Sequence, residues 1–333
     1  MVGSEPPTPI RDGEAAAAPI AARVREGGLL PAGRPVVVLL SGGRDSVCLL
    51  DIAVLLAGRD AVTVLHVDYG LRESESGADA EHCELIARRL DVAITVERAR
   101  PPGDAGNLQA WARDVRYAAG ARLAAARGAR LAAGHTATDQ AETILYRLAA
   151  SPGRRALLGM HDDRGLLVRP LLRAGLTREE TAQWCRERGL SWREDTSNED
   201  DRYARARVRA ELLPALRAVH PAAEQNVLRT AALLGDEAEV LDVVVDTALA
   251  GRDRIALGHL ADLPNALARL VVRRLAEDAT GAFCARAPAR LDDVLALGDA
   301  GTLDLGDGAR AVVEAGVLRF ERTPPLRDFR SDQ

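Results

Sequence analysis

The 333-residue sequence contains no lysine: all 44 of its basic residues are arginine. A Walker A loop needs a lysine at the β- and γ-phosphates, so a P-loop NTPase of that kind is excluded. Schiff-base and pyridoxal-phosphate chemistry need a lysine amine and are excluded with it, as is a kinase-type β3 lysine. Cationic work falls to arginine, which stays charged, and to six histidines. Aromatic residues are 3% of the chain, so cores must be built from Ala, Val and Leu. The four cysteines (Cys48, Cys83, Cys185, Cys284) stand far apart with no CxxC pair, which argues against a zinc ribbon or a cluster site and suits reduced thiols. No run approaches the length of a membrane span, and the alanine-dominated stretch Ala15–Ala22 is too weak for a signal peptide. The expectation is a cytoplasmic protein with no membrane partner. The net charge of −5 argues against general coating of nucleic acid, while leaving room for a local basic patch.

The length suits two domains of ordinary size. Residues 1–14 mix Pro, Gly, Ser and charge without periodicity and are expected to be disordered. Residues 15–220 alternate short apolar runs with helical patterns. Pro35–Leu40, Ala61–Val67, Val92–Val96, Arg130–Ala133 and Leu166–Val168 read as strands, each of the first four followed by a helix. That order predicts an α/β domain, a parallel sheet with helices on both faces. His220-Pro221 interrupts the pattern, and 221–333 reads as a smaller, mostly helical domain ending in small strands over 301–322.

The strongest constellation is Ser41-Gly42-Gly43-Arg44-Asp45-Ser46, directly after the first strand and before a helix. The glycines admit a ligand close to the backbone, and the N–H groups at the helix start suit phosphate or pyrophosphate. Asp45 is at odds with an anion unless a divalent cation lies between them. His135, Asp139 and Glu142 follow the fourth strand at i, i+4 and i+7; a histidine with two acids there can hold Mg²⁺, position phosphates and handle a proton. The plainer alternative is a Thr/Asp-capped helix turn with exposed acids. Asp68 and Arg72 follow the second strand, also at the carboxyl edge where α/β sheets bind ligands. His66, inside that strand, reads either as a nucleotide contact or as a core histidine. Arg113 and Arg116 share a helix face and can reach a phosphate. Residues 202–217 carry Arg202, Arg205, Arg207, Arg209 and Arg217 against Glu211, a candidate contact for an RNA backbone or a self-paired helix.

The hexapeptide resembles the SGGxDS signature of the N-type ATP pyrophosphatases, the PP-loop superfamily. Further motifs narrow the likeness: His66-Val-Asp-Tyr-Gly-Leu-Arg72, Trp111-Ala-Arg-Asp-Val-Arg-Tyr117, Gly134-His-Thr-Ala-Thr-Asp-Gln-Ala-Glu-Thr143, Arg169-Pro-Leu-Leu172, Arg193-Glu-Asp-Thr-Ser-Asn198, Arg205-Ala-Arg-Val-Arg209 and Glu211-Leu-Leu-Pro214. In order and spacing they resemble the tRNA(Ile)-lysidine synthetase family, densely over 18–230. The resemblance implies an adenine nucleotide alpha hydrolase-like fold. It also implies a ligase that adenylates C2 of the wobble cytidine of an isoleucine tRNA precursor and displaces AMP with free L-lysine. ATP would be a substrate and Mg²⁺ a cofactor. It assigns ATP to Ser41–Ser46, His66 and Asp68, and metal to Asp45 and Asp139. Catalysis would fall to Asp45, Arg116, His135, Asp139 and Glu142, substrate positioning to Arg72 and Arg113, and tRNA contact to Arg202, Arg205, Arg207 and Arg209 and to the C-terminal domain. Oligomeric state stays open, a homodimer included. Three positions depart from the family: Thr138 where an Asp is usual, Ala206 where an Asn is usual, and Ala150-Ser-Pro-Gly153 in place of a glycine-rich stretch. Those departures keep a non-catalytic tRNA-binding relic in view. A tRNA 2-thiolase of the same superfamily is the rival enzyme, although it normally pairs reactive cysteines.

Overall fold

The computed structural model describes residues 14–70, 73–102, 108–150, 154–193 and 204–324. The disorder expected over 1–14 therefore lies outside the described residues, except for Glu14, which opens the first helix. Arg72 and Arg202 lie outside them too. The chain divides into two compact units, 1–234 and 235–333.

The first unit is built on a six-stranded sheet: β1 (Val36–Leu39), β2 (Val62–Asp68), β3 (Ala93–Arg98), β4 (Arg130–Ala132), β5 (Asp163–Arg164) and β6 (Leu167–Val168), in the order β3-β2-β1-β4-β6-β5. All neighbours pair in parallel except β5 and β6. That antiparallel edge is not written in the apolar pattern. It forms because Gly165 turns the chain at φ +65° and its N–H donates to Asp163 Oδ1 at 2.9 Å. Alternate residues of β1 enter two separate cores. Val36, Val38 and Leu40 pack on one side with Val47, Leu50 and Trp184, while Val37 and Leu39 pack on the other with Ala119, Ala124 and Leu131. A strand buried on both faces needs helices on both, which is why it reads as an unbroken apolar run.

The helices are α1 (Glu14–Glu26), α2 (Arg44–Ala57), α3 (Glu73–Arg89), α4 (Leu108–Ala126), α5 (Ala137–Ala150), α6 (Pro170–Arg173) and α7 (Arg178–Glu187). Then come α8 (Ala204–Arg207), a π-helical turn Val208–Leu212, α9 (Leu213–Val219) and the 27-residue α10 (Ala223–Leu249), within which the two units divide. The π turn ends two residues before Pro214, which has no N–H to continue an α-helical ladder. Helix α7 is pinned to α2 by Asp51, 2% exposed. Its carboxylate accepts from Trp184 Nε1 at 2.9 Å and from Arg188 Nε and Nη2 at 2.8 and 3.2 Å.

The second unit contains α11 (Leu257–Asp262), α12 (Asn265–Thr280) and α13 (Leu291–Leu295) over a four-stranded antiparallel sheet, β7-β10-β9-β8. Strands β8 (Gly301–Gly306), β9 (Ala309–Glu314) and β10 (Val317–Arg322) occupy the segment expected to form small strands. Strand β7 (Arg254–Ala256) joins their edge; three residues are too few to show a period.

Candidate active site

The carboxyl ends of β1, β2 and β4 and the starts of α2 and α5 place the expected residues around one edge of the sheet. Between β1 and α2, Gly42 holds φ +85°, a backbone that strains any residue with a Cβ, and Gly43 caps α2. Ser46 closes the loop: its Oγ donates to Gly43 O at 2.8 Å and accepts the Ser41 N–H at 3.2 Å. The Ser41 hydroxyl accepts the Gly43 N–H at 3.4 Å. The Arg193 N–H donates to Gly42 O at 3.0 Å, while its side chain pairs with Asp79 at 2.6 Å. The loop is thus held from below and behind, and the first turn of α2 offers its N–H groups to an anion. Gly134 explains how β4 reaches this turn: a Cβ there would lie 2.9 Å from Asp45 O, so only glycine allows the two backbones to meet.

Thr136 caps α5. Its N–H and Oγ1 each donate to Asp139 Oδ2 at 2.8 Å, and the Asp139 N–H donates back to Oγ1 at 3.3 Å, a reciprocal capping arrangement. The plainer expectation for this segment is therefore half realised: the turn is capped, but its acids are not exposed. Glu142 is 3% exposed. His135 precedes the helix, so it joins Asp139 through the turn and not along a helical face.

Asp45, Asp139 and Glu142 converge on Arg178, the first residue of α7. Its Nη2 is 2.7 Å from Asp139 Oδ1, its Nη1 3.4 Å from Glu142 Oε1 and its Nε 3.6 Å from Asp45 Oδ2. Thr181, one turn further along α7, donates its hydroxyl to Asp45 Oδ1. Burial and the neighbouring Asp139 charge raise the Asp45 carboxyl, against Thr181, Arg178 and Arg44. Burial also acts to raise Asp139, but Arg178 and the Thr136 hydrogen bonds outweigh it and hold that carboxyl low. Arg209, on the π turn, grips Glu142 with a fork of 2.7 and 2.9 Å. The guanidinium expected on a tRNA phosphate is thus committed inside the site, re-aimed by a π turn that side-chain type does not disclose.

His135 Nδ1 accepts from Arg169 Nε at 3.0 Å, so the ring proton sits on Nε2. Burial drives its pKa well down, and the nearby Arg169, Arg116 and Arg113 add to this against Asp139. His135 is therefore a neutral donor. Arg169 is 4% exposed, and it also donates to His161 O. It opens the Arg169-Pro-Leu-Leu motif but carried no expected role, since nothing local in the sequence marks an arginine as buried. Arg113 and Arg116 lie over the Tyr117 ring at 4.9 and 5.3 Å. Arg116 Nε is buried without a hydrogen-bond partner among the described residues, which suits an incoming anion.

His66 is a satisfied core histidine. It is 5% exposed, with Nδ1 2.9 Å from Leu40 O, and it supports the loop from beneath. Asp68 ends β2, its Oδ1 accepting the Gly70 N–H at 2.9 Å. Thr138, where the family usually has Asp, is buried; its Oγ1 accepts the Arg178 N–H at 3.3 Å, so the hydroxyl docks α7 onto α5. The four cysteines are free and buried. Among the described residues no group of three or more His, Cys, Asp or Glu is arranged to hold a metal by itself. No described helix is long and apolar enough to cross a membrane.

A parallel sheet with a glycine-bent, serine-closed loop at the amino end of α2 defines a nucleotide-binding PP-loop domain, and the PP-loop domain family model matches residues 20–216. The fold alone is shared with the U34-tRNA thiolase NcsA from Methanococcus maripaludis, at TM-score 0.55 and 13% identity over 67% of this chain and 80% of that one. The tRNA(Ile)-lysidine synthase of Symbiobacterium thermophilum is 37% identical over 92% of this chain and 70% of its own length. That of Salinispora tropica is 42% identical over 67% of this chain and 68% of its own. The chain belongs to the tRNA(Ile)-lysidine synthase family.

Proposed function

We propose that the protein ligates L-lysine to C2 of the wobble cytidine in an isoleucine tRNA with a CAU anticodon. The O2 oxygen of the base attacks the α-phosphorus of ATP and pyrophosphate leaves. The ε-amine of lysine then attacks C2 and AMP leaves, forming lysidine. The observation that carries this reading is the juxtaposition of the anion-ready loop Ser41–Ser46 with the His135–Asp139–Glu142 cluster, in a chain of this family. The loop N–H groups and the Ser41 and Ser46 hydroxyls hold the β- and γ-phosphates, with Arg44 and Asp68 at the rim. Arg116 offers its unpartnered Nε to the α-phosphate. His135 donates its Nε2–H to the adenylate; a neutral ring gives that bond without bringing a further charge into an arginine-rich pocket. Glu142 orients the incoming amine. Arg113 and Arg72 position the substrate, and Arg202, Arg205 and Arg207 contact the tRNA backbone.

Asp45 and Asp139 fit Mg²⁺. They are hard oxygen donors on the first turns of two helices, and Mg²⁺ commonly takes one or two carboxylates and completes its shell with substrate phosphates and water. When bound, it would neutralise charge on the departing pyrophosphate.

The test is incubation with ATP, radiolabelled lysine and an isoleucine tRNA transcript, with label expected in the tRNA. Tight tRNA binding without incorporation would leave a non-catalytic binder. ATP-dependent sulfur transfer in place of lysine incorporation would favour a thiolase.

A further inference from the structure

Arg178 has no part in the chemistry just outlined, yet it touches all three site carboxylates. We propose that Arg178 is a positioning residue that sets the spacing of Asp45 and Asp139 for the ATP-cleaving step, an inference that rests on the ligase reading above. The two carboxylates come from different helices, α2 and α5, and their like charges repel. Both hydrogen-bond on their outer sides to threonines, Asp45 to Thr181 and Asp139 to Thr136. Arg178 is the cation between them, at 3.6 and 2.7 Å. Its planar fork hydrogen-bonds Asp139 and keeps Glu142 and Asp45 within ion-pair distance in fixed directions, which a compact ammonium group does not.

The position of Arg178 is itself over-determined. It begins α7 behind the Thr177–Glu180 capping box. Its N–H donates to Thr138 Oγ1, and the Ala137 N–H donates to Leu176 O at 2.7 Å, so the starts of α5 and α7 are bonded to each other. The Asp51–Trp184–Arg188 cluster fixes the far end of α7 to α2. The guanidinium therefore measures the α2–α5 gap from a rigid base. Glu142 keeps a second clamp in Arg209 when Arg178 is removed, whereas Asp45 and Asp139 lose their shared cation.

The experiment compares wild type, Arg178→Ala and Arg178→Lys for AMP formation on the tRNA transcript, with thermal melting of each. A misplacement of about 1 Å at reacting groups costs about 100-fold in rate, so Arg178→Ala should lose about that much in kcat. KM for lysine should change much less, and Arg178→Lys should fall between the other two. Millimolar ethylguanidinium should restore part of the activity of Arg178→Ala while leaving wild type unchanged, a response that a merely structural role would not give. The proposal is overturned if Arg178→Ala keeps kcat within about threefold of wild type. It is also overturned if the loss follows the unfolded fraction at the assay temperature and ethylguanidinium restores nothing. A wild-type protein that forms no AMP would instead remove the ligase reading, and this inference with it.

Discussion

Replacing Asp51 with alanine should unfold the first unit at a markedly lower temperature, although Asp51 touches no part of the site. One buried carboxylate accepts three hydrogen bonds from α7, two of them from a guanidinium. Breaking a buried pair from one side costs about 3–5 kcal/mol, because the remaining charge loses its partner. The Arg188 side chain keeps 14% exposure and can relax toward water, which favours the lower end, about 3 kcal/mol. For a unit of this size each kcal/mol moves Tm by about 2–4 °C, giving a fall of about 6–12 °C. Trp184→Phe removes one neutral donor and shrinks a fully buried ring, so it should cost about 2 kcal/mol, about half from the hydrogen bond and half from the cavity. The double variant Asp51→Leu with Arg188→Met replaces the pair by apolar volume and should recover part of the loss, the buried Trp184 Nε1–H being left without its acceptor. Calorimetry or melting followed by circular dichroism reads all three. An Asp51→Ala Tm within about 2 °C of wild type would refute the claim that this carboxylate holds α7 on α2.

Asp139→Asn keeps one oxygen for the Thr136 cap but turns an amide donor toward Arg178 and removes its counter-charge; pyrophosphate release should be abolished and Tm lowered, and persistent release would remove Asp139 from the site. His135 is held neutral, its folded pKa below the ordinary value. Its contribution to stability is thus full above the ordinary histidine pKa of about 6.5 and is lost as pH falls below it, at up to about 1.4 kcal/mol per pH unit. Urea unfolding at pH 7, 6 and 5 should show a shallower decline for His135→Gln than for wild type, and equal slopes would contradict the assignment. Burial pushes the Cys83 thiol up to about 12. Iodoacetamide at pH 8 should leave Cys83 of the folded protein unlabelled, since only about one in 10,000 copies of that thiol would be ionised. Rapid labelling of Cys83 would show the loop region opening.

The parts of the site that were legible in the sequence are those whose chemistry is local. Ser41–Ser46 combines a turn, a cap and a candidate anion site within six residues, and the apolar run before it reads as a strand buried on both faces. Thr136 and Asp139 are likewise a local device, three residues apart. What stayed hidden depends on where the chain returns. Arg178 and Thr181 read as an ordinary helix start, because Thr177-Arg-Glu-Glu180 is a complete capping box without reference to Asp45 or Asp139. Arg209 belonged to a basic run whose expected partner was RNA, and only the turn before Pro214 brings it to Glu142. Arg169 is buried against His135 across 34 residues of sequence. Arg178 and Arg209 share a physical reason for being in the site. Glu142 is buried and Asp45 and Asp139 are half-buried, and carboxylates withdrawn from water need partners that stay charged and offer several directed donors. In a chain without lysine, arginine supplies every such partner. The hidden part of the site is therefore its counter-charge, which is set by tertiary contact, while the acids and the loop it serves were set by local pattern.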